Sequence, residues 1–213
     1  MRIGILGTGT MASALGRAWA RAGHRLVIAG RSTSRAALTA NMIGDGAVAV
    51  AVSDLAAQSD AIVIAVAWEG LDEALACAQA SHGAFAGKTV IDCTNALDFT
   101  TGALLLPRGS AAQHISDIAT GAHVIKALHM FAGQSWLDPR PTGVAPRTVA
   151  ICGDDQRSLD ITSALIRDLG ASAAVIGGLD HARQLEDVAG FVVSVVAAGH
   201  NPVTAVPSVQ PAA

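Results

Sequence analysis

Residues 2–31 read RIGILGTGTMASALGRAWARAGHRLVIAGR, and their pattern decides the fold. An apolar run, RIGIL, meets Gly7 and Gly9, with Ala12 three positions on; MASALGRAWARAG then carries the spacing of an amphipathic helix, and RLVIA is a second apolar run. A strand, a glycine turn, a helix and a further strand make a βαβ unit, and the GxGxxA in its turn is the phosphate-binding fingerprint in the context it requires. Gly7 permits the tight turn, Gly9 lets backbone N–H groups approach a pyrophosphate, and Ala12 keeps helix and strand close. The helix N-terminus adds partial positive charge for the phosphates.

The next stretch, AGRSTSR at 29–35, tells which nucleotide such a cradle would take. A site selective for NAD places an Asp or Glu about 20 residues beyond the glycines, on the ribose hydroxyls. Here Arg31 stands 22 positions after Gly9 and no acid lies near it in the sequence. Arg31, the hydroxyls of Ser32 and Thr33, and Arg35 one turn along the next helix are instead suited to a 2′-phosphate, through forked, charge-assisted hydrogen bonds. The expected cofactor is NADP(H).

The same alternation continues along the chain. Apolar runs AIVIAV (61–66), TVIDCT (89–94), HVIKAL (123–128), RTVAICG (147–153) and SAAVIGG (172–178) are read as strands. SRAALTANM (34–42), GLDEALACAQA (70–80), QRSLDITSALIRDLG (156–170) and LDHARQLEDVAGFVVSVVAAG (179–199) are read as helices, the third ending at a glycine C′ position, Gly170. Continuous apolar strands between helices indicate an α/β, Rossmann-type doubly wound fold: a mostly parallel sheet with helices on both faces and a small C-terminal helical and strand extension. Two long connections, 99–117 and 130–146, lie where open α/β sheets build their sites. The expected organisation is one domain over 1–200 and a flexible tail over 201–213, where three of the seven prolines fall. The last helix is apolar on most sides, which predicts burial against a second copy in a homodimer.

Composition excludes several classes. A chain that is 51% hydrophobic and 15% charged has the means to build a large core. A net charge of −3 and a pI near 6.1, without a basic cluster, argue against a nucleic-acid surface. With no signal-like start and no apolar run of about 20 residues, the expected location is cytoplasmic and off the membrane. Cys77, Cys93 and Cys152 have no CxxC spacing and are expected to be buried, inert thiols. His114, His123, His181 and His200 show no metal-ligand spacing with Asp or Glu, so no metal site is expected.

Seven segments together cover nearly the whole chain: IGILGTGTMASALG, AGRSTSR, AIVIAVAWEGLDEAL, VIDCTNAL, HVIKAL, VAICGDD and IGGLDHARQLEDVAG. In these the chain resembles the NADP-dependent oxidoreductases that act with the 8-hydroxy-5-deazaflavin coenzyme F420, the NADPH:F420 oxidoreductase family, whose cousins include the cytoplasmic domain of ferric metalloreductases. The resemblance implies hydride transfer between nicotinamide C4 and deazaflavin C5 in rings stacked above the sheet. It further implies Thr8, Gly9, Thr10 and Met11 along the pyrophosphate, with Arg31, Ser32 and Arg35 at the 2′-phosphate. Ala65, Val66 and Trp68 would lie beside the adenosine and ribose, and Asn95 toward the nicotinamide.

The chain departs from that family at Ala67 and Ala96, where proline is usual, and at Leu128–His129, where the family has Phe–Asn. His129 is therefore a candidate proton donor to a carbonyl or imine, and Lys126 a candidate to polarise a substrate oxygen or to pair with a carboxylate. Arg183 and Glu186, three apart, are expected to form an ion pair or a subunit contact. Three functions stay open: hydride transfer to a deazaflavin or flavin-like coenzyme, NADPH-dependent reduction of a small carbonyl or imine, and a non-catalytic NADP(H)-sensing module.

Overall fold

The computed structural model describes residues 1–137 and 145–207. Its strands are β1 (Arg2–Leu6), β2 (Arg25–Ala29), β3 (Val48–Ala49), β4 (Ala61–Ile64), β5 (Thr89–Asp92), β6 (His123–Lys126), β7 (Arg147–Gly153) and β8 (Ala171–Val175). They form one sheet in the order β3-β2-β1-β4-β5-β6-β7-β8, parallel throughout except for the antiparallel β6–β7 pair. The chain starts in the middle, winds outward through β2 and β3, then crosses back to β4. The reversal leaves a crevice beyond the carboxyl ends of β1 and β4, where open α/β sheets bind ligands.

Helices α1 (Thr10–Arg21), α2 (Thr33–Ile43) and α5 (Gln156–Asp168) cover one face; α3 (Leu71–Cys77), α4 (Ala111–Ile118) and α6 (Ala182–Ala197) cover the other. Alternation along the strands sorts the core: Ile3 and Ile5 of β1 pack with Leu15 and Trp19 of α1, whereas Leu6 and, on β4, Ile62 and Ile64 pack with Leu71 and Leu75 of α3. The buried Trp19 indole donates to the Leu165 carbonyl at 2.9 Å and ties α1 to α5. Gly170 follows α5 with φ +74°, the left-handed cap that the sequence suggests.

Two expectations need correction, and one short strand left no mark in the sequence. β3 has two residues, too few to leave a periodic signal in the sequence. The connection read over 99–117 contains α4, which starts where Ser110 Oγ accepts from the Gln113 amide and buries Ala111, Ala112 and Ile115. Helix α6 keeps Val188, Phe191 and Val196 exposed in the single chain. Cys77, on the outer side of α3, is exposed, while Cys93 and Cys152 are buried. Of the proposed tail, Pro202–Thr204 form a 3-10 turn capped by the Asn201 side chain, and 208–213 lie outside the described residues, as do 138–144 of the second long connection. No helix among the described residues is long and apolar enough to cross a membrane.

Candidate active site

Above the β1/β4 crevice lies a cleft of about 730 Å³, walled by the turns that follow β1, β2 and β4. Gly7, Thr8 and Gly9 form its floor, Arg31, Ser32 and Arg35 one edge, and Ala65 and Val66 the opposite wall. Gly7 has φ +141°, and a Cβ there would sit 2.2 Å from the Ala65 carbonyl oxygen, so only glycine closes the turn against β4. At Gly9 a Cβ would meet nothing within 4 Å, leaving the backbone open to the cleft. Gly9 is the N-cap of α1 and contributes no side-chain cap, and the first turn of α1 holds no acid. The amides there are thus free of a competing carboxylate, and the residues present fit a dinucleotide phosphate.

Thr10 and Ala12 do not line this cleft: Thr10 opens α1, and Ala12 is fully buried against the sheet, as helix–strand packing at the third fingerprint position requires. Thr33 is the first residue of α2, and Ser32 is its N-cap, accepting from the Arg35 amide.

The sequence reading missed an acid. Glu73, on α3, reaches across the mouth of the cleft to Arg31, Oε2 to Nη1 2.5 Å, and lines the same space together with Glu69. The pair spans 42 residues of chain, so spacing near the glycine motif carries no trace of it.

A second cleft of about 410 Å³ shares Val66, Ala67 and Glu69 with the first. It is mainly apolar, with Met11, Leu97, Phe99, Phe131 and Val192 among its walls, and it contains Trp68, Asn95 and His129. Trp68 lines this second cleft and not the first, its ring 5.2 Å from that of His114. Asn95 Nδ2 donates to the His129 carbonyl at 3.0 Å, and its Oδ1 is buried with no hydrogen-bond partner, an acceptor left for a ligand amide.

His129 is 7% exposed, with Nε2 3.1 Å from the Leu185 carbonyl oxygen. A carbonyl only accepts, so Nε2 carries the hydrogen and Nδ1 is a buried lone pair without a partner. Burial, together with the Lys126 charge nearby, pushes the imidazole down from 6.5 to about 3. In this state the imidazole is held neutral, with its one N–H turned to the Leu185 carbonyl rather than into the cleft.

Lys126 is equally withdrawn. It is fully buried, its ammonium 2.9 Å from Asp92 Oδ2, 2.8 Å from Glu186 Oε1, and in contact with the Thr94 carbonyl. Three acceptors match three N–H donors, leaving none for a substrate. Glu186 also accepts from the Ala111 amide at 2.9 Å, so the cluster ties β5, β6 and α6 to the start of α4. The expected Arg183–Glu186 pair is absent: Arg183 turns outward to Asp187 and to the carbonyls of Leu106 and Gly109, while Glu186 points inward. Among the described residues no group of three or more His, Cys, Asp or Glu is placed to hold a metal.

Comparison with known proteins agrees with this geometry. Residues 2–96 match the model of the family described as NADP oxidoreductase, coenzyme F420-dependent. A crystal structure of a protein from Arthrobacter sp. FB24, provisionally assigned as an F420-dependent NADP-reductase, superposes with a TM-score of 0.78 at 25% identity, covering 93% of this chain and 95% of that one. The imine reductase of Myxococcus stipitatus in complex with NADP+ shares the fold, with a TM-score of 0.69 at 20% identity, covering 93% of this chain and 63% of that one. Metalloreductase STEAP3 of Rattus norvegicus is 26% identical over 187 residues, 88% of this chain; the chain spans 36% of that relative's length.

Proposed function

We infer that the chain is an NADP(H)-dependent oxidoreductase of the coenzyme F420-dependent NADP oxidoreductase family, whose model matches residues 2–96, and that it passes hydride between the nicotinamide and a planar, flavin-like ring such as a deazaflavin. One observation carries this reading: a cleft with a glycine floor and a cationic edge runs, through Val66, Ala67 and Glu69, into a mainly apolar cleft of about 410 Å³. The Gly7–Gly9 backbone and the start of α1 hold the pyrophosphate. Arg31, Ser32 and Arg35 hold the 2′-phosphate, and Asn95 Oδ1 accepts from a carboxamide in the second cleft. The chemistry such a cofactor supplies is hydride transfer from its nicotinamide. The protein orients the two rings and excludes water through Trp68, Phe99 and Phe131.

The state of His129 separates this reading from that of a carbonyl reductase. Hydride transfer between stacked rings needs no acid from the protein, and the buried, neutral imidazole turns its one N–H to the Leu185 carbonyl. His129→Gln, which keeps a donor toward the Leu185 carbonyl, should change kcat by less than about fivefold, against the 10²–10⁴ that a general acid contributes. The same group sets a pH dependence of stability. Its folded value lies below its ordinary one, so its contribution is complete above 6.5 and is lost as pH falls toward 3, where the unfolded chain takes up a proton that the folded one refuses. Urea midpoints measured across this window should fall more steeply for the wild type than for His129→Gln.

The deciding experiment mixes purified protein and NADPH with oxidised deazaflavin, free flavins, and a panel of carbonyls and imines, and follows the nicotinamide absorbance. Oxidation that requires a deazaflavin or flavin supports the proposal. Turnover of an imine or carbonyl alone, with a His129→Gln loss of about 100-fold, overturns it in favour of the metabolite reductase. NADPH binding without any turnover overturns it in favour of a sensing module.

A further inference from the structure

The Arg31–Glu73 pair joins the two sides of the nucleotide cleft. Arg31 follows β2 and Glu73 lies on α3; both line the same cavity, and the guanidinium rests over Gly70, whose Cβ position would be 3.7 Å from Nη2. The side chains are 62% and 60% exposed, so the contact is a surface pair, weak enough to exchange. A single carboxylate oxygen engages one guanidinium nitrogen, with no forked geometry.

We propose that Glu73 is a nucleotide-selectivity residue that holds Arg31 across the cleft mouth in the free protein and must release it to a 2′-phosphate. This rests on the NADP(H) reading of the cleft. A phosphate monoester carries about −1.5 to −2 charges near neutral pH, and it repels a carboxylate that shares its guanidinium. Binding of NADP+ is therefore an exchange of one anion for another on Arg31, with Arg35 and Ser32 at the same edge to complete the phosphate site. An unphosphorylated ribose behaves differently. Its hydroxyls donate, so NAD+ can enter with the Arg31–Glu73 pair intact, and Glu73 lowers the preference for NADP+ that the arginines would otherwise produce.

Calorimetric titration of NADP+ and NAD+ into wild type, Glu73→Gln, Arg31→Ala and the double variant tests this. Glu73→Gln should bind NADP+ about three- to tenfold more tightly, the scale of one exposed ion pair plus the relieved repulsion. NAD+ affinity should stay level or fall slightly, and the gain for NADP+ should shrink when Arg31 is already alanine. Unchanged or weaker NADP+ binding by Glu73→Gln overturns the proposal, the weaker case showing that the carboxylate holds Arg31 in its productive position. An equal gain with and without Arg31 also overturns it, because the carboxylate then acts on the phosphate directly. Equal wild-type affinity for the two nucleotides counts against the NADP(H) reading. If a preference for NADP+ then emerges in Glu73→Gln, the role of Glu73 stands; if none emerges, both ideas fall.

Discussion

Replacing Lys126 by alanine should lower the stability of the protein by about 3–5 kcal/mol, the cost of removing one partner from a buried ion cluster. Asp92 is 0% exposed and Glu186 1%, and without the ammonium they become two buried carboxylates facing one another's charge. Burial alone would disfavour the charged lysine, but Asp92 and Glu186 outweigh it and hold its pKa above the ordinary value. Burial raises the Glu186 carboxyl, and the Lys126 charge opposes that rise; once the lysine is gone, the Ala111 amide remains but carries no full positive charge. For a chain of this length each kcal/mol shifts Tm by about 2–4 °C, so a fall of about 6–20 °C is expected. Lys126→Met combined with Glu186→Gln should recover part of the loss, because one of the stranded charges is removed together with its partner. Urea unfolding monitored by far-UV circular dichroism checks both variants. A loss below about 1 kcal/mol in Lys126→Ala would mean that the ammonium is not the centre of this cluster.

Replacing both Arg31 and Arg35 by alanine should weaken NADP+ binding about 30- to 100-fold and leave NAD+ within about threefold. A hydrogen bond to a charged group contributes about 1.5–3 kcal/mol, and both guanidiniums lie at an exposed edge where water screens them, so the lower end applies to each. Every 1.4 kcal/mol is about tenfold, and part of the Arg31 contribution is spent on leaving Glu73. The wild type should accordingly prefer NADP+ by at least about tenfold, a preference that the double variant erases and that added salt narrows. Equal affinities for NADP+ and NAD+ in the wild type and in Glu73→Gln alike would show that the two arginines are solvated surface groups.

What the sequence determined by itself is local. The apolar runs, the 3.6-residue periodicity of α1, α2 and α5, and the glycines of the first turn are set by backbone sterics and by which face must leave water, and both act over a few residues. The doubly wound sheet, the cradle of Gly7 and Gly9, and the cationic edge of Arg31, Ser32 and Arg35 were legible for that reason. The short β3 was not, because two residues carry no period, nor was α4, whose start depends on the Ser110 cap and on a bond from the Ala111 amide to Glu186, 75 residues away.

The tertiary structure alone decided what the charged and titratable groups do. A lysine at a strand end can polarise a substrate or pair internally, and Lys126 was settled by Asp92, 34 residues away, and by Glu186 arriving on α6. A histidine can be acid, base or spectator, and His129 finds the Leu185 carbonyl, 56 residues away, as the partner of its Nε2 hydrogen. Arg31 met an acid after all, from α3 rather than from its own neighbourhood. The physical reason is common to all three. A charge is governed by its burial and by the groups within a few ångströms of it, and those are supplied by elements that only the packing of the sheet brings together.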